Sequence, residues 1–378
     1  TSTTAGTVYG GGVALFWSDM LGDHNLLTAF QAEGTSDTIT RNMSLLLAYE
    51  NREDRLHWGA ALSQVPSVSV FYGSDPSPGN PDCRFDPGSG NPCTFLVRQW
   101  QINRDIAGRL AYPLTRADRI ETTLGYRHIS YYQDALVNVF DPGTGQLIGA
   151  GVADLPAPPS IEIYPAGVAY VHDTSVFGGT APVLGSRYRL ELSGTTGNLD
   201  FYSPLLDYRK YFRPFEYLSL AGRVMHYGRY GRDAEDPRLG GVFLGSWTLV
   251  RGYNYSSFDL SECNDPSFQT CPVFDQLFGS RMALASAEAR VPLIGQLGLV
   301  RTSATPPIDI AAFYDAGVAW TRDLEPSFMG GPRDIVRSYG AGLRLNFFGA
   351  LVLQWNYVNP IDRPNKDWYW EFVIAPGF

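Results

Sequence analysis

IVRSYGAGLRLNFFGALVLQWNYVNPIDRPNKDWYWEFVIAPGF, residues 335–378, decides the fold. Its chemistry repeats every two residues, the period of a β-strand and not of a helix. In the last segment Trp368, Trp370, Phe372 and Ile374 share one face, and Tyr369, Glu371, Val373 and Ala375 the other. Before it, Leu351, Leu353, Trp355 and Tyr357 alternate with Gln354 and Asn356. Before that, Tyr339, Ala341, Leu343 and Leu345 alternate with Ser338, Gly340, Gly342, Arg344 and Asn346. The rhythm recurs far upstream. Ile120, Thr122, Leu124 and Tyr126 oppose Arg119, Glu121, Thr123 and Arg127, and Tyr188, Leu190 and Leu192 oppose Arg187, Arg189 and Glu191.

A soluble sandwich alternates too, but its strands usually run about 5–6 residues. Here the segments run to about 10 or more, the length that crosses a bilayer at a tilt. Aromatic residues gather near segment ends, as in the girdles of membrane barrels. The apolar face then meets lipid, and the face with Arg, Glu, Asn and Gln lines a wet interior. A closed barrel pairs every backbone donor and acceptor within the bilayer and leaves no open edge. The expected fold is all-β, a transmembrane antiparallel β-barrel of sixteen strands, with residues 1–378 forming one domain.

Composition agrees. Only 18% of the 378 residues are charged and 13% are aromatic, with 40 Gly. A formal charge of −9 argues against a nucleic-acid surface. The longest stretch without Asp, Glu, Lys or Arg, Leu56 to Ser74, holds His57, Gln64, four serines and Pro66, and makes a poor bilayer helix. The start lacks the basic region and small-residue cleavage site of a signal peptide, so a signal was removed or the chain is a fragment.

Counting back from Phe378, the alternation predicts strands at 367–377, 348–358, 335–346, 308–320, 278–292, 215–229, 199–210, 185–194, 161–173, 117–132, 94–113, 54–72, 38–50, 24–34 and 9–19. Short turns at 51–54, 113–118 and 347–350 contrast with long loops at 73–93, 133–160, 230–277 and 321–334. Membrane barrels show this asymmetry, with short turns inside the cell envelope and long loops outside. The map holds fifteen strands, whereas bacterial single-chain barrels have even numbers. A first strand is therefore expected upstream of Thr1 or within residues 1–8.

Four cysteines fall in two Gly/Pro/Asp/Ser-rich loops, Cys83 with Cys93 and Cys263 with Cys271. Three full pairings are possible. The local one is expected, which implies an oxidising compartment; four unpaired thiols are the alternative. No CxxC occurs and no histidine lies near, so no metal is expected.

The longest loop contains DPRLGGVFLGSWTLVRGYNYSSFDL, residues 236–260. With it the chain resembles the bacterial surface antigen barrels of the outer-membrane assembly superfamily, the BamA-type and TamA-type proteins. Their sixth outer loop carries a Val-Arg-Gly-Tyr or Val-Arg-Gly-Phe tip, here Val250, Arg251, Gly252 and Tyr253. The family's glutamate after that loop matches Glu288 in ASAEARVPL. Its aromatic-x-Asp-x-Gly motif matches Phe313, Asp315 and Gly317 in AAFYDAGVAW. The terminal strand signal matches Trp370, Phe372 and Phe378. The resemblance implies that loop 230–277 folds back into the lumen and that Arg251 meets acids on the wall. Parity supports this independently. Glu288 shares a face with Ser286 and Arg290 opposite a run of alanines, and Asp315 opposes Tyr314, Ala316 and Val318. Arg251 is a permanent cation that needs acceptors once out of water, and Gly252 allows a tight turn.

Five scattered histidines form no HExxH, and there is no GxSxG or phosphate loop. The chain is expected to be no enzyme and to need no cofactor. The resemblance implies a bacterial outer-membrane protein that inserts or translocates polypeptides, with lipid, client polypeptides and other outer-membrane or periplasmic subunits as partners and no nucleic acid. The rival readings are a structural anchor for a further domain or larger complex, and a passive pore.

Overall fold

The computed structural model describes the chain except residues 1, 4, 5, 8, 35–37, 76–82, 86–88, 264–270, 303, 348, 350, 377 and 378. The chain divides into two compact units. The first is Thr1–Ala111, Thr123–Ala166 and Thr195–Leu199; the second is Tyr112–Thr122, Gly167–Gly194 and Asp200–Phe378. Phe378 lies outside the described residues, so only Trp370 and Phe372 of the terminal signal can be placed.

The first unit is built on β1 (Tyr9–Ser18), β2 (His24–Gly34), β3 (Met43–Asn51), β4 (His57–Asp75) and β5 (Cys93–Pro113), each antiparallel to the next. Next come β6 (Asp118–Phe140), β7 (Leu147–Leu155), β8 (Ile161–Asp173) and β9 (Pro182–Gly197). The second unit continues as a meander of β10 (Phe201–Phe215), β11 (Leu218–Gly228), β12 (Arg281–Gly295), β13 (Ile308–Trp320), β14 (Val336–Phe347), β15 (Leu351–Pro360) and β16 (Tyr369–Pro376).

One expectation needs correction. Residues 133–160 are not a loop. β6 continues to Phe140, and β7 pairs with its far half, Gln133 opposite Leu155. β8 also pairs with β6, and its end reaches the near end, where Asp173 N–H donates to the Ala117 carbonyl at 2.8 Å. β7 and β8 thus share one position beside a single long strand. Among the described residues there are sixteen strands of eight or more residues, but these two occupy one place. Among the described residues of 1–8, Ser2–Thr3 and Gly6–Thr7 pair with each other. The run 133–140, Gln-Asp-Ala-Leu-Val-Asn-Val-Phe, hid its strand character because its inner residues are small and its disulfide neighbours cover it. Cys83, Cys93, Ala135 and Val137 make one buried cluster.

The second unit is inverted relative to a water-soluble sheet. On β14, Leu343 is 38% exposed and Arg344 8%; on β16, Trp370 is 67% exposed and Glu371 5%. Apolar side chains that stand out while charges are withdrawn describe a sheet whose outer solvent is hydrocarbon. On the withdrawn face lies an apolar cluster of Met282, Leu284, Ala319 and Val336, roofed by Leu244, Val250, Tyr253 and Leu277 from the loop between β11 and β12.

Candidate functional site

The loop between β11 and β12 is braced from within. Phe243, Tyr255, Phe258, Phe274 and Phe278 pack edge-on or tilted against one another with ring centroids 4.8–6.3 Å apart. A two-residue ladder, Val242–Phe243 with Phe278–Gly279, closes its neck. Cys263 and Cys271 are joined, as are Cys83 and Cys93. The described parts of the loop are therefore braced against one another, and its tip can be aimed.

The tip is the stretch Val250–Tyr253, and each residue has a separate task. Val250 and Tyr253 are buried apolar anchors. The Tyr253 hydroxyl donates to the Arg337 carbonyl at 2.9 Å. Gly252 takes φ +88°, the left-handed region, and a Cβ there would stand 3.0 Å from Val358 Cγ2. Conformation and space both select glycine.

Arg251 reaches the strand face. Its Nε donates to Asp315 Oδ2 at 2.7 Å and its Nη2 to Asp315 Oδ1 at 2.8 Å, a two-pronged fork. Its Nη1 donates to Glu288 Oε2 at 2.8 Å. The guanidinium carbon lies 3.6 Å from the centre of the Phe313 ring. Register explains the convergence: Ser286 pairs with Asp315, and Glu288 with Phe313, across β12 and β13. Ser286 donates to Asp315 Oδ1 at 2.6 Å and so helps hold the carboxylate still. Along β13, residues 313, 315 and 317 share one face. Phe313 lies under the cation, Asp315 grips it, and Gly317 makes room, since a Cβ there would meet Val250 Cγ2 at 2.9 Å. Glu288 also accepts from Arg290 and, at 2.9 Å, from Arg344.

Residues 180–375 match the Omp85 superfamily domain. The chain belongs to the Omp85 superfamily. Its fold matches solved barrels of that kind. BamA from Haemophilus ducreyi lacking POTRA domains 1–3 aligns with TM-score 0.59 at 13% identity, covering 97% of this chain and 68% of that one. CdiB from Acinetobacter baumannii aligns with TM-score 0.54 at 13% identity, covering 98% and 57%. CdiB from Escherichia coli aligns with TM-score 0.54 at 11% identity, covering 97% and 59%. This chain thus spans less than two-thirds of either CdiB chain. No curated protein matches it in sequence.

In this Omp85 barrel the loop tip is also tied to the final hairpin, which sequence reasoning missed. The Gly252 N–H donates to Glu371 Oε1 on β16 at 3.0 Å, and Asn254 Nδ2 to the same oxygen at 2.9 Å. The Gly252 carbonyl accepts from Arg363 Nη1 at 2.7 Å. Arg363, in the turn between β15 and β16, also forks onto Glu262 at 2.7 and 2.8 Å and lies 3.8 Å over Phe258. So one glycine peptide is held at both ends by the last hairpin. Glu371 was detectable: it is the charged residue on the inward parity of an aromatic strand. Arg363 carried no signal beyond a charge in a Pro-containing turn. Trp370 and Phe372 stand outward, against Tyr357 at 4.9 Å and Trp355 at 5.2 Å.

A hydroxyl–imidazole–carboxylate chain does occur. Thr174 Oγ1 lies 3.4 Å from His172 Nε2, and His172 Nδ1 2.7 Å from Asp118 Oδ1. The Thr174 proton, however, goes to the Ser186 carbonyl at 3.1 Å, away from the imidazole. Asp118 is shared with Tyr170 and Thr115. This is strand bracing rather than an activated nucleophile. Among the described residues, no three His, Cys, Asp or Glu side chains converge to hold a metal ion.

Proposed function

We propose that this chain is the outer-membrane barrel of a bacterial protein assembly or translocation factor, without bond chemistry of its own. The observation that carries the reading is the Gly252 peptide. The loop clamped by Arg251 on β12 and β13 also binds Glu371 on β16 and Arg363 beside it. A loop that grips the terminal strand can hold or release the wall there. Releasing a strand edge exposes backbone donors and acceptors on which an incoming polypeptide strand can add. Client polypeptides, membrane lipid and other envelope subunits are the partners of this reading.

The test is Arg251→Ala and Glu371→Gln in cells that depend on this protein, with the amount of other barrel proteins in the outer membrane as readout. Reduced client assembly by folded, membrane-inserted variants is expected. Undiminished assembly by variants whose loop has become protease-sensitive would overturn the reading. One observation favours a static anchor instead: the Arg363–Glu262 pair is fully withdrawn from solvent, a brace suited to a wall that never opens. Cross-linking β16 to the loop separates the two, because an anchor would keep its function when locked.

A further inference from the structure

On the exposed face of the first unit, apolar side chains give way to polar ones where β4, β5, β6 and β8 come together. On β5 its outward residues include Leu110 and Ile106, each exposed, and then Arg104. Opposite Arg104 in register stands Gln64 on β4, next above the exposed Leu62 on the same face. On β6 the exposed Leu124 is followed on its face by Tyr126 and His128, and on β8 Glu162 precedes Tyr164, whose ring lies 5.5 Å from that of Tyr126. Gln64, Arg104, Tyr126, His128 and Glu162 line one open cavity of about 450 Å³, floored by Leu45, Leu62 and Ile106.

The charges in this cavity are incompletely matched. Arg104 Nε donates to Gln64 Oε1 at 2.9 Å and Nη1 to Ser130 Oγ at 3.2 Å. Among the described residues no carboxylate pairs with it, and three of its five N–H groups remain without a protein acceptor. Asp105 also borders the cavity, but its carboxylate is taken by Arg127 on the opposite face. Among the described residues Glu162 is thus the anion without a cationic partner; it is exposed, with the Tyr126 hydroxyl beside its carboxylate. An arginine facing hydrocarbon is costly at mid-bilayer and tolerable only near the headgroups. Arg104 lies nine residues from Pro113, where β5 ends at a short turn. At about 3.3 Å per residue and about 40° of tilt, that is roughly 20–25 Å, the height of a barrel's apolar band.

We propose that this cavity binds one zwitterionic lipid headgroup, with the lipid phosphate on Arg104 and its ammonium on Glu162. Charge complementarity selects the occupant. A phosphate oxygen accepts from the free guanidinium N–H groups, a carboxylate meets the ammonium, and the acyl chains run down over Leu62 and Ile106. The inference goes beyond the proposed function and holds equally for an anchor, because it rests only on the lipid-facing sense of this wall.

The experiment is native mass spectrometry of the purified full chain in detergent, titrated separately with phosphatidylethanolamine, phosphatidylglycerol and diacylglycerol. Phosphatidylethanolamine should be retained about tenfold more than diacylglycerol. Arg104→Ala should bring it down to the diacylglycerol level, and Arg104→Lys should restore part of the difference. Glu162→Gln should abolish the preference for phosphatidylethanolamine over phosphatidylglycerol. Arg109→Ala, on the opposite face of the same strand and outside the cavity lining, should change nothing, which controls for general loosening. Equal retention of the two phospholipids by the unmodified protein, or binding indifferent to Arg104→Ala, would overturn the proposal.

Discussion

Arg363 and Glu262 meet across two prongs of 2.7 and 2.8 Å with both side chains at 0% exposure. Neither belongs to the motif that marks the loop, yet together they fasten the body of the loop to the turn before the terminal strand. Removing one partner strands a buried charge, which costs about 3–5 kcal/mol. Arg363→Ala should therefore free the loop without unfolding the strands. Limited proteolysis would show new cleavage between β11 and β12 while the barrel keeps its compact mobility in unheated gels. The double variant Arg363→Met with Glu262→Leu should recover most of the protection, because an apolar pair replaces an ionic one.

Acid should act through the same pair. Burial pushes the Glu262 carboxyl up, but Arg363 and the Asp259 N–H outweigh it and hold the group below its usual 4.5. A carboxylate lowered on folding contributes fully above its unfolded value, and the contribution is lost as pH falls through the folded one. Loop protection should be flat from neutrality to about pH 4.5 and decline below it. The Met/Leu double variant should show a flatter profile. An unmodified protein that loses its loop at pH 6 would contradict this assignment.

Arg251→Lys should behave almost as a deletion. A lysine is a single point donor and cannot reproduce the fork on Asp315 together with the bond to Glu288. It also surrenders the planar contact with Phe313. The Arg251→Lys protein should release its loop nearly as readily as Arg251→Ala, as read by labelling of a cysteine placed at Ser246.

Gly317 tests the packing under the tip. A methyl group there would approach Val250 and Leu244 at 2.9–3.1 Å, so Gly317→Ala should cost about 1–3 kcal/mol by overpacking. Gly222, where a Cβ meets nothing within 4 Å, is the control, and Gly222→Ala should be near neutral. Thermal loss of the compact gel form orders the two.

The two disulfides should differ in reducibility. Cys83 and Cys93 are 0% and 1% exposed inside an apolar cluster, whereas Cys263 and Cys271 are half-buried. Mild reductant followed by alkylation and mass spectrometry should label Cys263 and Cys271 first. Opening that link should loosen the loop by about 2–3 kcal/mol, the closure entropy of so short a ring.

Much of this was present in the order of residues. Period-two alternation places Arg344 and Glu371 inward and Leu343 and Trp370 outward, since a strand allows only two directions. Arg251, Glu288, Asp315 and Gly317 could be named because a motif and the strand parity agreed. The continuation of β6 to Phe140 was hidden, because small and apolar residues there serve a loop-level cluster around Cys83 and obscure the alternation. Arg363 with Glu262 was hidden for another reason. They lie 101 positions apart on irregular backbone, where no period relates one side chain to another.

The pairing of Ser286 with Asp315 has a consequence for how the chain assembles. Slipping β13 by one position against β12 would turn Asp315 toward lipid while leaving Glu288 behind. The arginine at the tip would then find half its socket. Docking of the loop would thus be complete only where these neighbouring strands are in register. A misaligned wall would declare itself by a tip left dangling.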